Sequence, residues 1–135
     1  MMNRKQIFLV LGLCISGLIL VIFYYSYSYG LSEIESSKRM RTTCQINHLA
    51  TKYLDHFEEE GNYAFDVESE PSRVALATIF VGCGMQNVTV ENVLSDPWGD
   101  SLLIEELPGN KLRISSDNYK AAGLILDNGE VSRDH

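Results

Sequence analysis

The most apolar stretch of the chain lies near its N-terminus. Residues 7–25 include only apolar residues, Gly, Ser, Cys and Tyr, and no charge occurs between residues 6 and 32. A membrane-spanning helix needs about 20 mostly apolar residues, so this run is long enough. Tyrosines, whose amphipathic rings favour the headgroup layer, crowd residues 24–29. The pattern predicts a transmembrane helix over residues 7–29, after a short N-terminal segment of residues 1–6.

A second helical pattern follows. Apolar residues recur at spacings of three and four and form one stripe. They are Ile46, Leu49, Ala50, Tyr53, Leu54 and Phe57. Gly61 and Asn62 both tolerate the left-handed conformation that ends a helix. Because no Pro or Gly occurs in residues 31–60, we expect the transmembrane helix to continue directly into this amphipathic helix.

The middle of the chain has a less clear secondary-structure pattern. Pro71 suits the first turn of a helix, with Ser69 or Glu70 as its cap. Residues 72–84 then predict a short apolar helix, although a buried strand over residues 77–81 is an alternative that periodicity cannot exclude. Residues 85–93 fit either an extended or a helical segment. Asn87 opens a glycosylation triplet, a motif that often arises by chance.

From residue 96 the pattern becomes typical of β-structure. Asp96, Pro97, Trp98 and Gly99 form a turn motif: Asp accepts local backbone bonds, Pro presets φ and Gly permits positive φ. Strands are predicted over residues 101–107 and 111–115, with a Pro-Gly-Asn turn between them. A further strand, an Asp-Asn-Gly turn and a final short strand complete the chain. The predicted fold class is α+β, with the long helix packed on a small antiparallel sheet.

Charge restricts the partners and the orientation. Residues 31–135 carry all 18 acidic residues and nine of the 11 basic ones, a net charge of −9. This argues against nucleic acid as a partner. Arg4 and Lys5 precede the apolar run, which favours a cytoplasmic N-terminus, although Lys38, Arg39 and Arg41 compete. A retained anchor is favoured over a cleaved signal peptide because the run exceeds a usual signal-peptide core.

Catalytic and metal-binding patterns are weak. His48 and His56 are eight residues apart, which on a helix is about 12 Å and too far to share a metal directly. His56 has helical ligand spacing with Glu59 and Glu60, but one His among exposed carboxylates belongs to a solvated helix face in most proteins. No nucleophile motif or phosphate-binding loop occurs in the sequence. We therefore predict that the protein is not an enzyme.

The two cysteines outside the apolar run leave two alternatives. In the assigned orientation Cys44 and Cys83 lie outside the cytoplasm, where disulfides persist. Cys44 also falls off the apolar stripe, so core packing explains it poorly. A disulfide and a pair of unpaired buried thiols are both compatible with the sequence. Cys14 is most simply a small apolar residue in lipid.

The order of these elements resembles the type IV pilin-like family, most closely the major pseudopilins of type II secretion systems. Residues 46–65 are similar to the family's helix end, where Gly61 and Tyr63 match its Gly-x-Tyr motif. Residues 96–118 are similar to its Asp-Pro-Trp-Gly turn, Pro-Gly turn and following strand. The resemblance implies structural roles, with Asp96 as a turn former and Trp98 as a packing anchor. It also implies calcium binding near Asp117 and Asp127, where oxygen ligands suit that ion; two solvated turn acids are the alternative.

The chain departs from the family where subunits are processed. Gln6 stands where the family has the Gly that precedes the apolar run, and Leu11 stands at the family's Glu position. The resemblance implies a single-pass inner-membrane component of a type II secretion or pilus-like system, with residues 30–135 in the periplasm. Other pseudopilins or secretion platform proteins are its expected partners. The alternative is a membrane-tethered binding module that keeps the fold but does not enter a filament.

Overall fold

One long helix dominates the computed structural model, which describes residues 3–84 and 88–134. Helix α1, Arg4–Glu60, has 57 residues and continues without a break from the apolar run into the amphipathic segment. The expected continuity is confirmed. The helix ends as the sequence predicts, since Gly61 adopts a positive φ of 74° and its N–H donates to the Phe57 carbonyl.

The chain divides into two units, Met1–Ser36 and Ser37–His135. Within the described residues, one helix near the N-terminus is long and apolar enough to span a membrane, and no part of its most apolar window is buried. Large side chains such as Leu9, Leu20 and Phe23 are 67–70% exposed. The described residues of the first unit leave this apolar surface uncovered.

The second unit has one hydrophobic core built on the stripe of α1. Ile46, Leu49, Ala50 and Tyr53 are buried, as the spacing predicts. They share a core with apolar residues of the second helix and the sheet, and Leu54 and Phe57 pack at its margin. Burial of this stripe is the main contribution of α1 to the folded unit.

A second helix, not a strand, follows the acidic connector. Helix α2 is Glu70–Phe80, with Ser69 as its N-cap residue and Pro71 in its first turn. A 3₁₀ turn, Val81–Cys83, extends it. Leu76 and Phe80 enter the core. The strand alternative for residues 77–81 is therefore wrong, and Asn87 lies outside the described residues.

Four strands form an antiparallel meander in the order β1-β2-β3-β4. They are β1 Leu103–Leu107, β2 Lys111–Ser115, β3 Leu124–Asp127 and β4 Glu130–Arg133. The predicted turns are present: residues 108–110 join β1 to β2, and Asn128 and Gly129, both at positive φ, join β3 to β4. A 3₁₀ turn, Lys120–Ala122, precedes β3. The α+β class is confirmed, with the layout expected for a pilin-like fold.

One face of the sheet supplies the core. Leu112, Ile114, Leu124 and Leu126 are buried at alternate positions of β2 and β3. Arg113 lies between the first two and points to the opposite face, where it forms ion pairs with Glu105 and Asp134. The alternation fixes which face of the sheet covers the helices.

Candidate functional site

The Asp-Pro-Trp-Gly turn is organised by the Asp96 carboxylate. Its Oδ1 accepts hydrogen bonds from the backbone N–H groups of Trp98 at 3.0 Å and Asp100 at 3.1 Å. The Asp96 N–H donates to the Asp100 carbonyl at 2.7 Å. Gly99 adopts φ of 98°, a conformation that side chains disfavour. The expected role of Asp96, Pro97, Trp98 and Gly99 as a turn is therefore present in the structure.

The same carboxylate also holds a second segment of the chain. Asp96 Oδ2 accepts hydrogen bonds from Ser116 Oγ at 2.7 Å and from Asn118 Nδ2 at 3.0 Å. Asn118 Nδ2 also donates to Asp100 Oδ2 at 2.7 Å. Asp96 is only 4% exposed and Ser116 is fully buried. The carboxylate thus joins the turn before β1 to the segment that follows β2.

The surroundings of Asp96 favour its charged form. Burial alone raises the pKa of an aspartate, but the hydrogen bonds from Asn118, Ser116 and the two backbone N–H groups outweigh it. They hold the pKa of Asp96 below its ordinary value. The charged carboxylate, with hydrogen bonds to both oxygens, therefore holds the turn and the segment after β2 together.

Trp98 lies at the edge of the turn, where it faces helix α1. It is half-buried, and Lys38 Nζ lies 5.4 Å from the centroid of its ring. Beside it, Arg39 Cζ lies 5.7 Å from the ring centroid of Tyr119. These are cation–π distances. Trp98 is not among the residues of the hydrophobic core, so its contact with the helix is partly polar, which the expected packing role does not describe.

Gln45 makes a further link between α1 and the turn. Its Nε2 donates to the Ser95 carbonyl at 3.0 Å, and its side chain is fully buried. The residue lies next to Ile46 on the helix. No sequence pattern relates Gln45, Ser116 or Asn118 to the Asp-Pro-Trp-Gly turn, although hydrogen bonds from all three hold it in place.

Gly61 and Tyr63 connect the end of α1 to the far end of the sheet. The buried Tyr63 ring stacks on Phe57 with 4.6 Å between centroids. Its hydroxyl accepts a hydrogen bond from the Gly129 N–H at 2.9 Å. The Gly-x-Tyr motif therefore ends the helix and also holds the turn between β3 and β4.

Cys44 and Cys83 form a disulfide, with 5.7 Å between their Cα atoms. The bond joins α1 to the 3₁₀ turn after α2. His48 lies on the same face of α1, and its ring is 6.4 Å from that of Phe80, centroid to centroid. Cys14 is a free and exposed cysteine in the apolar run.

The two acids expected near a calcium site do not come together. Asp127 pairs in register with Lys111 at the start of β2, and its Oδ2 lies 2.7 Å from Lys111 Nζ. Asp117 follows the other end of β2. Five residues of strand at about 3.3 Å each separate the two positions, so they do not share one ion. Calcium binding at either acid stays a prediction.

An open cavity of about 380 Å³ lies on the outer face of the sheet. Its charged lining is mixed: Glu105, Arg113, Asp117, Lys120 and Asp134. Arg113 is already paired with two of these acids. Ser115 and Ser116 complete the polar lining, and the Ser116 hydroxyl already donates to Asp96. Comparisons with known proteins add no candidate function, since no protein-family model, no curated protein and no solved structure matches the chain.

Proposed function

We propose that the protein is a membrane-anchored structural or assembly component of a type II secretion or type IV pilus-like system. One observation carries the proposal: a single helix of 57 residues has an exposed apolar first half, while its second half is the core element of an α+β unit. The exposed half requires lipid or other apolar helices around it. A subunit of this construction serves by its position and contacts.

The turn motif supports the same proposal. Asp-Pro-Trp-Gly and Gly-x-Tyr are the two motifs that resemble the pseudopilins. In this chain they hold the two ends of the sheet on α1 through Gln45 and Ser95 at one end and through Tyr63 and Gly129 at the other. Both contacts hold the sheet against the second half of α1 and the residues that end it.

The proposed location is the inner membrane, crossed once. Arg4 and Lys5 keep the N-terminus in the cytoplasm, and residues 30–135 lie in the periplasm. The disulfide supports this orientation because such bonds persist in oxidising compartments. The proposed partners are the bilayer, other pseudopilins and proteins of the secretion platform.

Cross-linking in native membranes tests the proposal. A photoreactive residue is placed at Leu13 or Leu18, which are 65% and 64% exposed. We expect adducts with other pilin-like subunits or with platform proteins. The control is the same variant in liposomes that contain no other protein. If native membranes give only the lipid and self adducts found in liposomes, the assembly function is wrong.

A second candidate, a tethered binding module, is favoured by Gln6 and Leu11. In the resembled family a Glu at the Leu11 position is buried among helices, where a charge is costly unless it is paired. This chain has no such group to set the register of an incoming subunit. Without the preceding Gly, the chain keeps its N-terminal segment, and the cost of moving Arg4 and Lys5 through hydrocarbon retains it in the bilayer.

The mass of the intact protein, extracted from membranes, separates the two candidates. We expect a chain that retains the residues before Ile7. Such a protein contacts a filament or its platform without extending it. A mature chain that begins at Ile7 would place the protein among the filament subunits despite its two substitutions.

A further inference from the structure

The disulfide lies in a group of three potential metal ligands. Cys44 and His48 are one helical turn apart on α1, and Cys83 approaches them from the 3₁₀ turn. The sulfur atoms and an imidazole nitrogen of these three residues all lie within 4.8 Å of one another. We propose that, when the disulfide is reduced, Cys44, Cys83 and His48 bind a zinc ion. This site is independent of the proposed assembly function.

The geometry fits zinc with little movement of the backbone. Zinc bonds to sulfur at about 2.3 Å in a tetrahedral arrangement, which places two thiolates about 3.7 Å apart. The cysteine Cα atoms are already 5.7 Å apart, so rotation about the two side chains opens enough space. Residues at i and i+4 lie on one helix face, and this presents Cys44 and His48 to the same point. Two thiolates and one imidazole are a common ligand set for zinc.

The site is partly shielded from solvent. All three residues are half-buried, and the Phe80 ring lies beside His48. Within the described residues no fourth His, Cys, Asp or Glu belongs to the group. The fourth position on the metal is therefore open to water or to a ligand from a partner protein.

The exchange of disulfide for metal balances with one co-reactant, a dithiol reductant. The two thiols of the reductant form their own disulfide and supply two electrons and two protons, which convert Cys44 and Cys83 to thiols. Zinc then displaces the two thiol protons to solvent and keeps its oxidation state. The link between α1 and α2 is thus covalent under oxidising conditions and metal-mediated under reducing ones.

Two histidines on α1 provide a matched pair of variants. His48 lies beside Phe80 and belongs to the ligand group, whereas His56 lies beside Phe65, 5.7 Å between ring centroids, and does not. Each of the variants His48→Gln and His56→Gln removes one imidazole from α1. Both variants keep the cysteines, so a difference between them reports the histidine ligand alone.

The experiment titrates cobalt and then zinc into the full chain in detergent, after reduction with a phosphine. We expect one cobalt per chain with a thiolate charge-transfer band, displaced by zinc, for the natural chain and for His56→Gln. His48→Gln removes a direct ligand, so it should weaken metal binding by at least about tenfold. Even residues that only hydrogen-bond to a metal ligand change the metal affinity by that factor. The oxidised chain should give no such band.

Four results would overturn the proposal. The first is absence of the band in the reduced natural chain, and the second is equal affinity in His48→Gln. The third concerns folding: if reduction unfolds the chain by circular dichroism, zinc must restore the native spectrum, and failure to do so rejects the site. Binding of equal strength by the oxidised chain counts equally against it.

Discussion

Asp96 accepts two hydrogen bonds on each carboxylate oxygen, from Trp98 and Asp100 on one and from Ser116 and Asn118 on the other. Hydrogen bonds to a charged acceptor contribute more than neutral ones. A group so enclosed organises the chain around it. The turn, the start of β1 and the end of β2 all depend on this side chain.

Replacing Asp96 should therefore be costly. In Asp96→Asn one acceptor oxygen becomes an amide that faces N–H or O–H donors, and we expect a loss of about 2 kcal/mol in the free energy of unfolding. Denaturant titration of the detergent-solubilised protein measures it. Asp117→Asn is the control, because Asp117 is exposed and its change should stay within about 0.5 kcal/mol. Equal stability of the two variants would contradict the role given to Asp96.

The same carboxylate predicts a pH dependence. The pKa of Asp96 is lowered in the folded protein, so its contribution is fully present above the pKa of the unfolded chain and is lost as the pH falls through the folded value. The difference in stability between the natural chain and Asp96→Asn should shrink below about pH 4. A difference that stays constant from pH 7 to pH 3 would show that the charge is not responsible.

At the residue scale the sequence indicates which residues form a local turn, but not which distant residues hydrogen-bond to them. Asp96 was recognisable as a turn former because Pro97 and Gly99 follow it. Ser116 and Asn118 lie 20 and 22 residues away, and no periodicity relates them to the turn. The position of Trp98 was equally hidden, because its contact with Lys38 depends on how the sheet meets the helix.

At the scale of elements, the disulfide joins α1 covalently to the 3₁₀ turn that follows α2. It closes a loop of 39 residues, and such a loop stabilises by about 4 kcal/mol through chain entropy. In the double variant Cys44→Ser/Cys83→Ser, the free energy of unfolding should be lower by about 4 kcal/mol. Peptide mapping without reductant checks the pairing, and Cys14→Ser is the control. Free alkylation of both thiols in the folded, unreduced protein would refute the link.

The turn between β3 and β4 offers a second test. Gly129 has φ of 82°, and an added Cβ would lie 3.5 Å from the Phe57 ring. Gly129→Ala should cost about 1–2 kcal/mol because of its backbone conformation. Gly82→Ala is the matched control, since nothing lies within 4 Å and its φ is ordinary. Thermal unfolding of both variants measures the contrast, and equal melting temperatures would contradict the strain at Gly129.

Helices and strands were predictable where the hydrophobic periodicity agrees with Gly, Asn or Pro residues at their ends. A few residues were enough to predict the apolar stripe of α1 and its end at Gly61. The same holds for the turns at residues 96–99, 108–110 and 127–129. Residues 77–81 were not, because a short apolar run is compatible with a helix or a strand. The helix is realised here with Pro71 in its first turn and with Leu76 and Phe80 buried together.

At the scale of the whole molecule, the first unit contains a helix that is long and apolar enough to span a membrane. We expect the chain to remain in the membrane pellet after alkaline extraction, because its exposed apolar residues need lipid. Protease added outside the membrane should reach the unit after Gly30, and protease on the cytoplasmic side should not. Recovery of the full-length chain in the soluble fraction would contradict both the anchor and its proposed orientation.

The sequence is informative about the surroundings of the helix and silent about its neighbours. Exposed Leu, Ile and Phe side chains specify an apolar solvent, and lipid tails or other helices satisfy that requirement equally. Partner choice needs shape or polar contacts between helices, and within residues 7–29 polarity is limited to Cys, Ser and Tyr side chains. The resemblance to pilins therefore depends on the motifs of the folded unit.

The disulfide has a consequence for proteolysis. The connector between α1 and α2 lies inside the loop that Cys44 and Cys83 close. It buries Tyr63 and Val67 but leaves Glu68 exposed. A single nick after Glu68 breaks the backbone but leaves the sheet tethered to α1 through the disulfide. The nicked protein should migrate as one chain on a gel without reductant and as two fragments with it. A cut in this segment would then leave the sheet attached to α1 until a reductant breaks the disulfide.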